Sequence, residues 1–186
     1  MDALDALINR VSIPLLEAPG PTAEQLEQMF RAALRAPDHG GIQPWRFLVI
    51  EGEGLDRLGE LFLAGARAKD PQLAPERGDK LFKAPSRAPM VVVVIAAMRE
   101  HPKVPQIEQL ISAGCAANNI VTAAHALGVG AMWRTGSPAY DPLVLQGLGL
   151  AEHESLVGYV YLGTPSRQRT TQALDPADFV RRWDGA

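Results

Sequence analysis

Sulfur is scarce in this chain. Cys115 is the single cysteine in 186 residues, so no internal disulfide can form and no zinc site built on several thiolates is available. Its ordinary reading is a small buried residue. Long apolar runs are missing too. The longest, Met90 to Met98, has nine residues, whereas a membrane span needs roughly twenty. Met1 to Arg10 carries acids and lacks the apolar core of a secretory signal. The expectation is a soluble, cytoplasmic protein without a membrane partner. Basic clusters are absent as well: the formal net charge is −3 and no run of Lys and Arg reaches five. A nucleic-acid partner is therefore not expected. The P-loop, HExxH, G-x-S-x-G and EF-hand patterns do not occur, and His153-Glu154 lacks the second histidine of a zinc helix. Gly128-Val129-Gly130 ends a helix instead of opening one, unlike a dinucleotide fingerprint. No metal ligands are assigned.

What is present is one domain's worth of chain. At 20.0 kDa, such a chain exposes about 29,000 Å² unfolded and roughly 9,000 Å² folded, enough contrast for an independent core. With 47 % apolar and 21 % charged residues, disorder, collagen-like and coiled-coil readings are excluded for the whole chain.

The apolar periodicity predicts alternating helices and strands. Asp2 reads as the N-cap of a helix over Ala3–Asn9, and Pro14 prevents its continuation. Glu17 to Pro21 reads as a loop. Thr22 and Gln25 form a capping box for a helix that Pro37 ends. Phe47–Ile50 reads as a strand and Leu55–Ala68 as a helix. Asp70–Arg87 is polar and proline-rich, and reads as a mobile loop with at most a short helix near Lys80. Met90–Ala97 contains four consecutive valines and suits a strand covered on both faces. Pro105 opens a helix over Gln106–Leu127, stopped by Gly128. Its middle, Ser112 to Ala117, has very small side chains that admit another backbone. Gly130–Arg134 is a strand, Asp141-Pro142 starts a helix to Gly147, and Leu156–Leu162 is the last strand. Residues 1–165 form the domain and 166–186 a C-terminal arm, with Phe179 and Trp183 as anchors.

Three segments carry residues that a packed core does not need. In Arg10-Val11-Ser12 an arginine and a hydroxyl flank free backbone N–H groups, a set able to hold a phosphate monoester; an ordinary helix end with a solvated arginine is the competing reading. Arg35 to Phe47 joins a helix to a strand through two prolines and two glycines while carrying Arg, His, Gln and Trp. Such a loop brings backbone close to a flat ligand. Gly130 to Gly136 is an apolar strand ending in Trp133-Arg134-Thr135, where backbone N–H groups reach a ligand ring or, alternatively, an edge strand exposes its arginine.

Together these segments resemble the nitroreductase family of FMN-dependent oxidoreductases. The specific signal is Ala36-Pro37, then five residues, then Gln43-Pro44-Trp45 and Phe47. Arg10-x-Ser12 and Gly158-Tyr159-Val160-Tyr161-Leu162-Gly163-Thr164-Pro165 match at the family's places, so the resemblance runs from Asp2 to Pro165. It is similar to the short bacterial NAD(P)H nitroreductase branch in Ser112–Ala116 and Trp133-Arg134. The resemblance implies an α+β fold, a mixed central β-sheet flanked by helices in an intertwined homodimer, with FMN at the dimer interface. It implies that Arg10, Val11 and Ser12 hold the FMN phosphate, that Arg35 and His39 approach the flavin from the other subunit, and that Ala131, Met132 and Trp133 line its ring. Arg167 or Arg169 adds phosphate charge, and Val121–Ala126 lies where NAD(P)H is received. Many relatives carry basic residues where this chain has Val11 and Leu15, and asparagine at Gly41; those departures imply weaker FMN retention.

The implied activity is ping-pong: NAD(P)H as co-substrate gives a hydride to the flavin, and a small-molecule oxidant such as a nitroaromatic or quinone then takes two electrons. The chemistry is the cofactor's, and the protein supplies placement and charge. Arg35 is a candidate to offset the charge that builds on reduction, and His39 to position the ring. No side chain is assigned as a catalytic acid or base. The alternatives are an oxidase or dehydrogenase on the same fold and a non-catalytic flavin-binding dimer.

Overall fold

Four valines at 91–94 set the centre of the fold. A computed structural model describes residues 1–167 and 169–185. In it β3 (Met90–Ala97) is buried along nearly its whole length. Its alternating side chains enter two different cores. Val92 and Val94 face one layer with Ala116, Ala117 and Ile120, while Val91, Val93 and Ile95 face the other with Leu58, Phe62 and Tyr159. Burial of each such side chain contributes about 1.5–3 kcal/mol, so this strand anchors both layers.

The strand pairs antiparallel with β2 (Trp45–Glu51) on one side and with β5 (Glu154–Pro165) on the other. The far edge of β5 is shared by β4 (Gly130–Arg134) and the two-residue β1 (Leu16–Glu17), again antiparallel. A mixed sheet was expected; every pairing among the described residues is antiparallel. The reason is topological. The crossover from β3 returns to β4 with the strands running the same way, but β5 lies between them, so no parallel pair forms.

Helices cover both faces, as the α+β reading requires. The first layer holds α2 (Ala23–Ala33) and α5 (Gln106–Ala126). Thr22 accepts from Gln25 N and Gln25 reaches back to Thr22 N, which closes the expected capping box. The small residues of α5 let α2 approach closely enough for Asn119 Nδ2 to donate to the Ala32 carbonyl at 2.9 Å. The second layer holds α3 (Glu53–Lys69), α4 (Pro75–Phe82) and α6 (Pro142–Gly147). Asp2 caps α1 (Ala3–Asn9) by accepting from Leu4 and Asp5 N.

Two expectations need correction. Asp70–Arg87 is ordered structure, α4 followed by a 3₁₀ turn at Pro85–Arg87. Pro75 and Pro85 sit at helix starts, where a missing N–H costs nothing, Pro71 lies in the turn after α3, and Gly78 lies under Leu63 of α3. Phe179 and Trp183 do not anchor the tail within the chain; they are 70 % and 87 % exposed.

Candidate functional site

The end of α1 turns the chain sharply onto the sheet edge. Arg10 leaves helical geometry, and Ile13 N donates to the Ala131 carbonyl at 3.0 Å. That bond lays Arg10-Val11-Ser12 beside β4 and so brings together six of the expected site residues, Arg10, Val11, Ser12, Ala131, Met132 and Trp133. Arg10 Nη1 donates to Ser12 Oγ at 3.5 Å. The Val11 and Ser12 N–H groups have no acceptor among the described residues. Arg169 Nη1 donates to the Ser12 carbonyl at 3.1 Å, and Arg134 Nη2 to the Pro14 carbonyl at 2.8 Å.

Beside this segment lies a cavity of about 300 Å³, walled by Val11, Ile13, Gly130, His125, Arg167 and Arg169, with no carboxylate among the described residues on its walls. His125 Nε2 is buried there without a partner among the described residues. Guanidinium groups with no ion pair among the described residues, a hydroxyl and free N–H groups form a donor set suited to a phosphate. The residues present therefore fit the phosphate end of a nucleotide-type cofactor. Val11 itself packs toward the second core layer and adds no charge.

The β4 strand splits its side chains between the layers. Met132 packs into the second and Trp133 into the first. Trp133 is seated by a bulge in β5: Val94 pairs with Gly158 but Ile95 with Leu156, so Val157 is left as the extra residue. Trp133 Nε1 donates to the Val157 carbonyl at 3.3 Å. A Cβ on Gly158 would collide with that same indole nitrogen. Arg134 lies with its guanidinium 5.5 Å from the Tyr161 ring centroid. Burial, then the charge of Arg87, pulls its pKa below the ordinary arginine value, with Tyr161 opposing. Burial also raises the Tyr161 pKa, against Arg134 and Arg87.

Arg35 and His39 are not part of this cluster. They belong to the loop on the first layer, where Asp38 accepts from Ile42 N at 3.1 Å and Gln43 N at 2.7 Å. Gly40, Gly41 and Gln43 all take positive φ, which lets the loop fold back tightly. His39 Nδ1 is 2.6 Å from Glu108 Oε2, and Ser112 Oγ donates to the Pro37 carbonyl at 2.7 Å, so α5 pins the loop. Arg35 is exposed and lines a cavity of about 380 Å³ with Asp38, Gln43 and Trp45. The Arg134–Pro14 bond and the orphaned His125 nitrogen had no signal in the sequence. Between Arg167 and Arg169, it is Arg169 that reaches Ser12. Within Val121–Ala126, Val121 and Ala124 are buried in the core.

The comparisons with known proteins bear on this arrangement directly. A family model described as the nitroreductase family matches residues 9–164. The chain belongs to the nitroreductase family. It is thereby an oxidoreductase. YdjA of Escherichia coli K12, provisionally named an NAD(P)H nitroreductase, is 44 % identical over 182 residues, 97 % of this chain and 98 % of its own. A nitroreductase-like protein from Bacillus cereus has the same fold, with a TM-score of 0.83 at 24 % identity over 100 % of this chain and 97 % of its own. A Bacteroides fragilis nitroreductase solved with bound FMN superposes with a TM-score of 0.77 at 22 % identity, covering 99 % of this chain and 100 % of its own. The family's match spans both the Arg10 segment and the β4–β5 edge on which it rests.

Proposed function

We propose that this nitroreductase is an FMN-dependent homodimer that uses NAD(P)H to reduce small oxidants such as nitroaromatics or quinones. The observation that carries the reading is the donor set on Arg10-Val11-Ser12, held against β4 by the Ile13–Ala131 bond and bracketed by Arg169. FMN binding in the Bacteroides fragilis relative supports the choice of flavin, and the name of the Escherichia coli relative supports NAD(P)H.

In this reading Arg10, the Ser12 hydroxyl and the free N–H groups of Val11 and Ser12 hold the phosphate. Ala131, Met132 and Trp133 line the ring. Arg35 and His39, held toward the far, N-terminal end of α5 in their own chain, serve the site of the second subunit. Bound FMN supplies the redox chemistry, accepting two electrons from a reduced nicotinamide and passing them to the oxidant. The chain's own part is to bind, orient and set charge. Arg35, exposed and without a partner among the described residues, supplies positive charge, and His39 is oriented by Glu108. No side chain serves as a dedicated acid or base.

The exposed surface supports the dimer. The chain exposes 11487 Å², against roughly 9,000 Å² for a compact monomer of its mass. The excess is apolar in places that matter: Leu4, Leu7 and Ile8 on α1, Ile107 and Ile111 on α5, and Trp183 in the arm are all exposed. The test is a titration of FMN into the protein followed by flavin fluorescence. Arg10→Ala should weaken binding by about tenfold to a hundredfold, the value of a charge-assisted contact. Unchanged affinity would contradict the assignment.

A further inference from the structure

A second concavity shares none of the residues named above for the flavin. It is a cavity of about 330 Å³ in the second layer, between α3, α4 and the turn that precedes α6. Its walls follow from helical spacing. On α3, Phe62, Ala66 and Lys69 recur at intervals of four and three, and on α4 Arg77 and Lys80 stand three apart, so each helix presents one stripe, with Ala84 just beyond the end of α4.

The charges on those walls do not cancel. Lys69 is taken by Asp141, Nζ to Oδ2 at 2.9 Å. Asp70 accepts from the nearby Gln72 N through Oδ1. Arg77, Lys80 and Arg87 have no ion pair among the described residues, although α4 carries Glu76 and Asp79. Those two acids are not on the cavity wall. A net positive cavity on a chain of net charge −3 is not a by-product of composition. The floor is apolar, formed by buried Phe62 and Val144 with Leu73 and Leu81.

The geometry points to a binding site for a small aromatic carboxylate, its ring on the apolar floor and its carboxylate held by Arg77, Lys80 and Arg87. Two guanidinium groups match a planar carboxylate in shape as well as charge, and the volume lies in the range of small-molecule sites. A bare inorganic anion would leave the apolar floor in water, and a neutral ring would leave the cations unpaired. The inference does not rest on the flavin reading.

Calorimetric titration of sodium benzoate into the full-length protein, with and without FMN added, tests it. Saturable binding at one site per chain is expected in both forms, with no saturable binding of benzyl alcohol and weaker binding of sulfate. R77A/K80A, at two exposed positions, should weaken benzoate by about tenfold or more and leave FMN affinity unchanged. Ala66→Glu, which places a carboxylate in the cavity, should abolish benzoate binding. Benzoate affinity unchanged in both variants overturns the proposal, as does sulfate or benzyl alcohol binding as tightly as benzoate. A parallel loss of FMN affinity in R77A/K80A would also overturn it, because the cavity would then belong to the flavin. A protein that takes up no FMN yet binds benzoate refutes the flavin reading alone.

Discussion

Single residues decide how closely the parts of the site approach. Gly158 is the sharpest case, because the β5 bulge and the Trp133 indole meet where its side chain would be. Gly158→Ala is expected to destabilise the fold by about 1–3 kcal/mol, the usual cost of overpacking, read as a lower urea midpoint. Trp133 fluorescence should shift in the same variant, since the indole must move; a variant with wild-type midpoint and spectrum would show that the bulge does not seat the ring. Gly65 plays a similar part for Asp141, whose carboxylate occupies the space an added Cβ would need. These requirements were not legible in the sequence. A glycine in a Val-Tyr-rich strand signals a bulge or close approach, but not which side chain from another strand fills the gap.

At the scale of elements, the caps and prolines were legible and the pairings were not. Asp2, the Thr22–Gln25 box and Asp141-Pro142 start helices where the sequence placed them, and β3, β4 and α6 have the expected bounds. In the sequence the prolines of the α4 segment outweigh its weak apolar pattern and mimic a loop, and β1 exists only through its pairing with β5. Asp141 links two elements, capping α6 through Leu143 and Val144 N while meeting Lys69 of α3. Burial pushes its pKa up, but Lys69 and the two amides outweigh it and hold the pKa below the ordinary carboxylate value. A depressed pKa contributes stability that is present above the unfolded value, about 3.9, and is lost as pH falls through the folded value. Asp141→Asn keeps a capping oxygen and loses the charge. It should therefore flatten the fall in thermal midpoint below about pH 4, measured against wild type by calorimetry; parallel acid profiles would contradict the link. Glu154, held low by its paired contact with Arg46 against burial, acts in the same direction.

For the whole molecule the question is what completes the site. The phosphate-suited half lies by β4 and the C-terminal end of α5, where His125 sits, and the Arg35–His39 half lies toward the N-terminal end of the same helix, at Glu108. The sequence showed both halves as motifs but not their separation, which is set by the run of α5 from Glu108 to His125 between them. The proposed homodimer would reunite the halves and cover the exposed apolar residues of α1, α5 and the arm. Sedimentation should give twice the 20.0 kDa chain mass, and Trp183→Ala should shift the protein toward monomer at low concentration; a monodisperse monomer that still binds FMN would refute the shared site. The central claim is tested most directly by the visible absorption of protein loaded with FMN, followed anaerobically as NADPH and then NADH are added. The account predicts that the bound flavin bleaches with at least one donor and regains its colour when a quinone is admitted. Flavin that binds and keeps its colour with both donors would contradict it.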